Sequence, residues 1–562
     1  MTARRGDSGT EQSGSRGPTA APGPSRLRDA LNAPGGSAVI AELVPWRGAL
    51  DDAAGERARR LGEDLRGDDR FTALSITDNA GGHAMLSPES LARELADRGQ
   101  ASIVHVACRD RNRNDLLSLG WRLASAGLAN VLALSGDYPT EGFLGVARPV
   151  FDLDSVGLLE LYRGLNEGRI GRAVVSRRIP RDRDATMADL APARGSAAVS
   201  PTHFYLGVAV NPFKVVERDQ VPQYLKLELK ARTGASYAIT QVGFDMRKLD
   251  ELVRHVADRA VPLGLLASIF LLSRGAARAF GAGEVPGIML PDGLLDDAER
   301  QAASPDKGKG FFLDLAARQV AIARGLGYAG VYLGGASRAE DLGRILDLAD
   351  GYRADWRALV AQTTYAVPGT WYAYEADLAS GLNEPRRRPR RRRGSGLLGG
   401  APIAYRLDRV AHRFVFAPGS RGARAAGRFY GAVERHHLGR PLHVLEQAVK
   451  TPMFDCRDCG DCSLPDVAYL CPESQCVKNQ RNGPCGGSRA GECEISGKQC
   501  IWARAYERLA PYGETESLLE RQPVISDNSL RRTSSWANTF LGRDHATRAP
   551  IEANIQGDGR GL

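Results

Sequence analysis

The sequence predicts an α/β protein, namely a (β/α)8 TIM barrel followed by a small cysteine-rich metal-binding domain. The barrel is indicated by eight short apolar runs that alternate with helical segments over roughly 330 residues. A doubly wound sheet is disfavoured because no glycine-rich dinucleotide fingerprint follows any of the runs. The second domain is indicated by the cysteines, since eight of the nine lie between Cys456 and Cys500.

The composition is that of a large globular protein. The chain has 562 residues, of which 43% are apolar, and this suffices for two to four domains. It has neither an apolar run of about 18 residues nor a signal-like N-terminus, so we expect a cytoplasmic protein without a membrane contact. In a reducing cytosol, crowded cysteines favour metal or iron–sulfur ligation over disulfides.

Composition shifts divide the chain into five parts. We expect a disordered segment at 1–36, the barrel at 37–365, a linker with an arginine tract at 366–400, the metal module at 401–512 and a tail at 513–562. The formal charge is +9, but the stretch Glu384 to Gly394 holds seven arginines and one glutamate, and without it the balance falls to +3. This tract has no interleaved aromatic readers, so it favours a solvated linker over a nucleic-acid arm.

The strands are predicted from apolar runs that end in polar or glycine-containing turns. They are Ala38 to Pro45, Thr72 to Asn79, Ala101 to Cys108, Asn130 to Asp137, Tyr205 to Pro212, Tyr237 to Phe244, Pro262 to Phe270 and Tyr328 to Gly335. Two intervening helices have clear end signals. Ser87 to Gly99 opens with a serine cap and a proline and stops at glycine, and Asp115 to Gly127 also stops at glycine.

The predicted strand ends carry polar residues, and a barrel of this kind builds its site at those ends. Polar groups in apolar runs are costly to bury unless they are paired or used. One such group is more often a satisfied core residue, but five at one rim favour a site. These groups are Glu42, Thr77-Asp78-Asn79, His105 with Arg109-Asp110, Ser135-Gly136-Asp137, and Thr240-Gln241.

The motifs on these strands resemble those of the methylenetetrahydrofolate reductases over about residues 38 to 335. The motifs are AELVPWRG, SITDNAGG, HVACRDRNRNDL, NVLALSGD, AITQVGFD with the lysine-bearing helix before it, and VPGIMLPD. The resemblance implies a flavin-binding (β/α)8 barrel that reduces 5,10-methylenetetrahydrofolate to 5-methyltetrahydrofolate by hydride transfer from reduced flavin.

The resemblance also assigns roles to single residues. Glu42 resembles the general acid, and burial in an apolar strand would raise its pKa to suit that role. Asp137 resembles the aspartate beside flavin and pterin, and Gln241 the glutamine that contacts folate and nicotinamide. The positions that match the flavin-lining residues of the family are Thr77, His105, Ser135, Gly136 and Lys230. A core role is most plausible for His105, a lone histidine in an apolar strand.

Some positions depart from the family pattern. Asp78 stands where family members have an aromatic residue, Ser135 replaces an arginine, and the last strand does not match their folate-contacting end. These differences leave FAD or FMN, the glutamyl-tail contacts and the direct use of a nicotinamide open.

The cysteines are spaced C-x2-C-x2-C-x8-C-x4-C-x8-C-x7-C-x6-C, enough for two four-thiolate sites. The first triplet is typical of bacterial ferredoxins, whereas paired knuckles would favour zinc, so a [4Fe–4S] cluster, zinc or both stay open, as does a metal that is only structural. The candidate ligands are Cys456, Cys459, Cys462, Cys471, Cys476, Cys485, Cys493 and Cys500. Residues 400 to 510 also resemble a module found fused to or encoded beside such reductases in some bacteria.

Together these features predict a flavin-dependent methylenetetrahydrofolate reductase with a fused metal module. NAD(P)H or a reduced carrier protein would supply its electrons, folate is the expected substrate, and a homo-oligomer stays open. One rival is another flavin oxidoreductase that acts on a one-carbon or pterin substrate on the same barrel. The other is a metal-stabilised scaffold or binding protein.

Overall fold

A computed structural model describes residues 25–33, 35, 38–170, 199–388, 401–495, 497–519 and 521–546. Eight parallel strands close into a barrel in sequence order, which confirms the predicted fold. The strands are β1 (Ala38–Leu43), β2 (Ala73–Ile76), β3 (Ser102–Ala107), β4 (Asn130–Leu134), β5 (Tyr205–Val210), β6 (Tyr237–Thr240), β7 (Gly264–Phe270) and β8 (Gly330–Gly334). None of the described helices is long and apolar enough to cross a membrane.

Helices surround the barrel, and the predicted Ser87 and Asp115 helices are present. The helices up to residue 363 are α1 (Arg26–Asn32), α2 (Ala53–Arg66), α3 (Pro88–Asp97), α4 (Arg113–Ser125), α5 (Ser155–Asn166), α6 (Glu217–Arg232), α7 (Met246–Asp258), α8 (Arg274–Gly281), α9 (Asp292–Gln301), α10 (Lys309–Gly325), α11 (Ala339–Gly351) and α12 (Trp356–Thr363).

Helix α1 closes the N-terminal end of the barrel. The sequence predicts disorder for residues 1–36, but Arg26–Asn32 is helical, with Ser25 as its cap. Leu27 and Leu31 are buried in one cluster with the strand residues that point into the barrel. A short helix outside the family pattern is therefore held by packing, and residues 1–24 lie outside the described residues.

The predicted linker begins with a short antiparallel hairpin. Strand β9 (Tyr374–Ala376) pairs with β10 (Asn383–Arg387), so the start of the arginine tract is structured. Asn383 donates its backbone N–H to Asp250 on α7, which fixes the hairpin to the barrel. Residues 389–400, the rest of the tract, lie outside the described residues.

The C-terminal region consists of helices and irregular cysteine-bearing loops. Its helices are α13 (Ile403–Ala411), α14 (Arg421–Arg435), α15 (Gly439–Phe454), α16 (Pro472–Gln475), α17 (Ile501–Leu509) and α18 (Ser535–Phe540). The tail does not hang free, because Ser535 on α18 hydrogen-bonds the buried carboxylate of Glu446 on α15.

Barrel and module share a core. Thirteen of the sixteen residues of α6 are buried, since this helix lies between the strands and the module. One apolar cluster joins barrel helices α5 and α6 to module helix α17 and the segment after it, and it contains Val156, Val221, Leu225, Leu229, Tyr506 and Leu519. The module is thus built onto the side of the barrel where the β4 and β5 connections run.

Candidate functional site

Glu42 lies at the carboxyl end of β1, where its side chain faces β8. Tyr332 on β8 donates its hydroxyl hydrogen to Glu42 Oε1 at 3.0 Å. The close passage needs a glycine at position 334, because a Cβ there would lie 2.6 Å from Glu42 Oε2. Burial raises the pKa of Glu42, and the bonds from Tyr332 and the Gly335 backbone only partly oppose that rise. Glu42 is therefore a carboxyl group whose burial favours the protonated form that a general acid needs.

His105 belongs to the barrel interior. Its Nε2 lies 2.8 Å from the Ser75 hydroxyl, and the residue is buried. Burial lowers the pKa of His105 to about 3, so the ring is neutral. The structure places His105 one layer inside the barrel, which agrees with the core role weighed for it.

The SGD turn after β4 and the TDN turn after β2 lie side by side. Arg109, which is 1% exposed, donates from Nη1 to the backbone oxygens of Asn79 and Asp137 and so ties the two turns together. Asp137 accepts the backbone N–H of Gly81 at 3.2 Å. Gly136 has φ +89° and packs against Arg109, so both its conformation and its space require glycine.

Thr77 and Asp78 differ in whether their side chains are hydrogen-bonded. Asp78 accepts hydrogen bonds from Arg111 at 2.5 Å and from the Ala107 backbone at 2.9 Å, which fixes the β2 and β3 ends. Thr77 is buried, yet its Oγ1 has no hydrogen-bond partner among the residues that the structure describes. Thr77 is thus a polar group at the rim with unused hydrogen-bonding capacity.

The module covers the β4 end of the rim. Ser135 donates to Gln480 Oε1 at 3.0 Å, and Lys478 Nζ donates to the Gly136 backbone oxygen at 2.8 Å. Two residues predicted to line the flavin are thus engaged by the cysteine-rich module.

Lys478 and Glu494 form a buried ion pair in this contact. Lys478 Nζ lies 2.6 Å from Glu494 Oε1, and the side chains are 3% and 4% exposed. Burial lowers the pKa of Lys478, but Cys485 and Glu494 outweigh it and raise the pKa above the ordinary range. Glu494 also accepts the backbone N–H of Tyr138, the residue after Asp137. The module therefore places a charged pair beside the SGD turn.

Two lysines on α6 have different partners. Lys230, one of the positions predicted to line the flavin, is buried and donates to the Ala209 backbone oxygen at 2.6 Å. Lys226, one turn earlier, donates to Gln480 and to the Gly483 and Pro484 backbone oxygens. Burial lowers the pKa of each. Lys226 is a module contact, and its only signal in the sequence is its place one turn before Lys230.

Gln241 follows β6 and is partly exposed. Its Oε1 accepts the backbone N–H of Val242, and its backbone N–H donates to Val210 on β5. Its amide nitrogen lies near Gly287, where a Cβ would approach it to 3.4 Å. Gln241 thus stands at the rim with its amide directed towards the VPGIMLPD loop.

The structure brings Glu42, Thr77 and Asp137 to one end of the barrel, on β1, β2 and the β4 turn, with Gln241 after β6. His105 and Lys230 lie deeper, and Ser135 and Gly136 contact the module. The functional candidates that the sequence analysis missed are Tyr332, Lys226, Lys478, Gln480 and Glu494. Two of them had a signal in the sequence: Tyr332 is a polar group in a predicted strand, and Lys226 lies one turn before Lys230.

The first four cysteines surround one cavity. Its lining includes Lys450, whose Nζ lies 3.5 Å from Cys462 Sγ, and Arg481. Burial raises the pKa of Cys459 to about 12, and the neighbouring Cys462 and Cys471 add to the rise. We call Cys456, Cys459, Cys462 and Cys471 the outer set.

The last four cysteines lie against the barrel. Burial, then Cys485, raises the pKa of Cys476 to about 11 and that of Cys500 to about 12, and Cys493 also acts on Cys476. Burial lowers the pKa values of Lys214 and Lys226, which follow β5, and the nearby Cys485 opposes that change. We call Cys476, Cys485, Cys493 and Cys500 the inner set.

The two sets fit metal chemistry by their donors more than by their present spacing. No group of three or more His, Cys, Asp or Glu side chains is close enough to hold a metal ion within the described ranges. Each set nevertheless supplies four thiols, the ligand number of a tetrahedral zinc or a [4Fe–4S] cluster. Lys450 beside the outer set and Lys226 beside the inner one would offset the negative charge of thiolates.

One side of the rim has polar groups that could contact a flavin. Thr77 Oγ1 is uncommitted within the described residues, and Asp137 and Gln241 are partly exposed. On the other side, Ser135 and Gly136 are occupied by Gln480 and Lys478. A flavin at this rim would therefore contact the module as well as the barrel.

Comparison with known protein families gives two matches. Residues 56–167 match the family model described as methylenetetrahydrofolate reductase. Residues 437–528 match the family model described as methylene-tetrahydrofolate reductase C terminal. No curated protein matches the chain.

Two solved structures are remotely similar to the chain. An uncharacterized protein from Clostridium thermocellum that binds two copies of 5-methyl-5,6,7,8-tetrahydrofolic acid is 13% identical, with a TM-score of 0.40 over 58% of this chain and 98% of its own. A 2,3-dimethylmalate lyase of the PEP mutase/isocitrate lyase superfamily is 10% identical, with a TM-score of 0.30 over 58% of this chain and 85% of its own. Both scores are too low to bear on function.

The first family match covers β2 to α5, including the TDN and SGD turns, and the second covers all eight cysteines. These matches support an oxidoreductase of the methylenetetrahydrofolate reductase type. The resemblance of this chain to the methylenetetrahydrofolate reductase family, with its C-terminal module, is confirmed.

Proposed function

We propose that this protein reduces 5,10-methylenetetrahydrofolate to 5-methyltetrahydrofolate, with Glu42 as the general acid. The observation that carries the proposal is the state of Glu42, a rim carboxyl group whose pKa is raised by burial and whose Oε1 is held by Tyr332. A bound flavin would supply the hydride that the methylene carbon accepts.

The proton chemistry explains why an acid is needed. The methylene bridge joins two nitrogens, and one carbon–nitrogen bond must break before the carbon can accept a hydride. Protonation of the departing nitrogen by Glu42 makes it a better leaving group. The Tyr332 hydroxyl fixes the carboxyl group in position and stabilises the carboxylate left behind.

Other rim residues bind and orient. Asp137, held by the Gly81 backbone, offers a fixed negative charge to the amino groups of a pterin. Gln241 offers an amide to the folate or to a nicotinamide. Thr77 is the residue best placed to hold the flavin, because its buried hydroxyl has no partner within the described residues.

We infer that the module carries electrons towards the rim. The inner set neighbours Lys214 and Lys226 after β5, and the same loops contact the SGD turn through Lys478. The outer set lies farther along the module, beside α15. The identity of the metal in each set would distinguish an electron route from a structural staple, since a [4Fe–4S] cluster can carry electrons and zinc has no redox chemistry.

The test is anaerobic oxidation of methyltetrahydrofolate with an artificial electron acceptor. We expect the flavin-loaded wild type to turn over and Glu42→Gln to lose at least about 100-fold in rate, the typical contribution of a general acid–base group. Glu340→Gln, an exposed carboxylate on α11, is the matched control and should keep wild-type activity.

Three results would count against the proposal in different ways. An inactive, flavin-loaded wild type would exclude the reaction and favour another pterin or one-carbon substrate. Equal rates for wild type and Glu42→Gln would remove only the role of Glu42. A purified protein without flavin absorbance would favour the scaffold alternative.

A further inference from the structure

Helix α15 buries an ion pair and exposes apolar side chains, the opposite of an ordinary surface helix. Its ion-paired residues Glu446 and Lys450 are buried, at 0% and 4% exposure. Its apolar residues Val444, Leu445 and Met453 are 69%, 57% and 58% exposed. A helix that buries its ion pair and exposes its apolar stripe has a face suited to a partner.

The neighbouring helices share this character. We call residues 401–454 the helical arm. Of the eighteen large apolar side chains that are exposed in the described residues, eleven lie on this arm. They are Ile403, Leu407, Val410, Phe414, Val415, Phe429, Leu438, Val444, Leu445, Val449 and Met453. So dense a group on less than a tenth of the chain points to an interaction surface.

The arm is also strongly basic. It holds eight arginines and one lysine against three acidic residues. Arg421, Arg424 and Arg428 are exposed along α14. The partner that fits must therefore combine an apolar patch with negative charge.

The arm adjoins the outer cysteine set. Gln447, Lys450 and Phe454 of α15 line the cavity of that set, on the side opposite the exposed stripe. Helix α15 ends at Phe454, two residues before Cys456. A protein bound on the stripe would be separated from the outer set by little more than one helix diameter, about 10 Å.

We propose that the helical arm is the docking surface for a small acidic electron-carrier protein, which would deliver electrons to a [4Fe–4S] cluster held by the outer set. The proposal rests on the proposed reductase function. A second copy of this chain fits less well, because a two-fold contact would place one basic arm against another. Each carrier molecule gives up one electron, so two are oxidised for every methylene group reduced, and two protons come from solvent.

The experiment compares two electron donors for the full-length, metal-loaded enzyme. A dithionite-reduced, acidic bacterial ferredoxin is the docking probe, and reduced methyl viologen is a small donor that needs no docking surface. The reduction of methylenetetrahydrofolate is followed with each donor. The variant Leu445→Asp/Val449→Asp places charge on the exposed stripe, and Leu378→Asp, at a 93% exposed site on the β9–β10 connection, is the matched control.

We expect the stripe variant to raise the KM for ferredoxin by about tenfold or more, the effect of losing a central apolar contact. Its rate with methyl viologen should stay within about twofold of wild type, and Leu378→Asp should match wild type with both donors. Arg421→Glu/Arg424→Glu/Arg428→Glu should likewise weaken the ferredoxin reaction and reduce its salt dependence.

Unchanged ferredoxin kinetics in both variants would overturn the docking proposal, as would a wild type that accepts electrons from viologen and not from ferredoxin. The wild type could instead bind vesicles of anionic phospholipid, with that binding lost in the stripe variant and the ferredoxin KM unchanged. This result would assign the face to a membrane and would also overturn the docking proposal. Dimer dissociation as the sole effect would assign it to a second copy. A wild type that is inactive with reduced methyl viologen would instead contradict the reductase function.

Discussion

At the scale of single residues, the electrostatics of Glu42 decide whether the rim can perform acid catalysis. Burial raises the pKa of its carboxyl group, whereas the hydrogen bond from Tyr332 lowers it. The protonated form is the one a general acid needs, and it is lost as the pH rises through the pKa of Glu42. The hydroxyl of Tyr332 therefore lowers the pH up to which Glu42 stays protonated.

Removing that hydroxyl gives the first prediction. Tyr332→Phe should shift the alkaline limb of kcat/KM for methylenetetrahydrofolate reduction to higher pH by about one pH unit, the equivalent of one hydrogen bond to a charged group. Tyr237→Phe, another buried tyrosine of the barrel interior, is the control. A limb that stays in place or moves to lower pH would show that Glu42 does not govern it.

His545 gives a second prediction at this scale. It lies between the Asp461 and Asp466 carboxylates, and although burial opposes it, these partners raise its pKa to about 10. Because the folded-state pKa is raised, the stabilisation is complete below the unfolded value near 6.5 and is lost as the pH rises towards 10.

His545→Gln should therefore lower the Tm at pH 6.5, and the difference from wild type should shrink as the pH approaches 10. Scanning calorimetry of both proteins across this range measures it. His436→Gln, at an exposed position on the arm, is the control. A difference that stays constant with pH would mean that the histidine stabilises the tail by packing alone.

At the scale of elements, the loops of the module and the ends of β4 and β5 form one structure. The contact depends on Lys478 and Glu494, which are buried together beside the SGD turn. Lys478→Met should leave Glu494 buried without its cation, at a cost of about 3–5 kcal/mol, and loosen the module.

The measurement is amide hydrogen exchange in Lys478→Met and in wild type. The substitution should speed exchange in residues 471–500 more than in strands β1–β3. The double variant Lys478→Met/Glu494→Gln should recover part of the loss, because it removes the uncompensated charge. Lys498→Met, at an exposed position, is the control. Equal destabilisation in the double variant would mean that the charge pair is not the cause.

Elements encoded by local sequence patterns could be predicted, whereas contacts between distant parts of the chain could not. The eight strands followed from their apolar runs and turn residues, because those patterns are local. The positions of Glu42 and Asp137 at strand ends could be predicted for the same reason. The engagement of Ser135 by Gln480 could not be predicted, since the two positions are 345 residues apart and only the docked module brings them together. Helix α1 was missed because its stability comes from packing under the barrel.

At the scale of the whole molecule, the two cysteine sets occupy different positions relative to the barrel. The inner set neighbours the lysines after β5, whereas the outer set lies beside α15 and the basic arm. If both sets hold [4Fe–4S] clusters, electrons that enter at the arm would pass the outer set before the inner one. The chain would then be a single route from its surface to the barrel rim.

Single substitutions in each set test that order. Cys462→Ser should remove metal from the outer set and Cys485→Ser from the inner one, so each should lose about half of the bound metal, as expected for two independent four-ligand sites. Elemental analysis measures the metal content, and Cys108→Ser, in the barrel core, should leave it unchanged.

Cys462→Ser should slow turnover with a protein donor more than with methyl viologen, because the viologen can reach the inner set directly. Cys485→Ser should slow turnover with both donors, because the inner set is the last step before the rim. Loss of all metal from either substitution, or the same donor dependence in both, would contradict two separate sets that act in series.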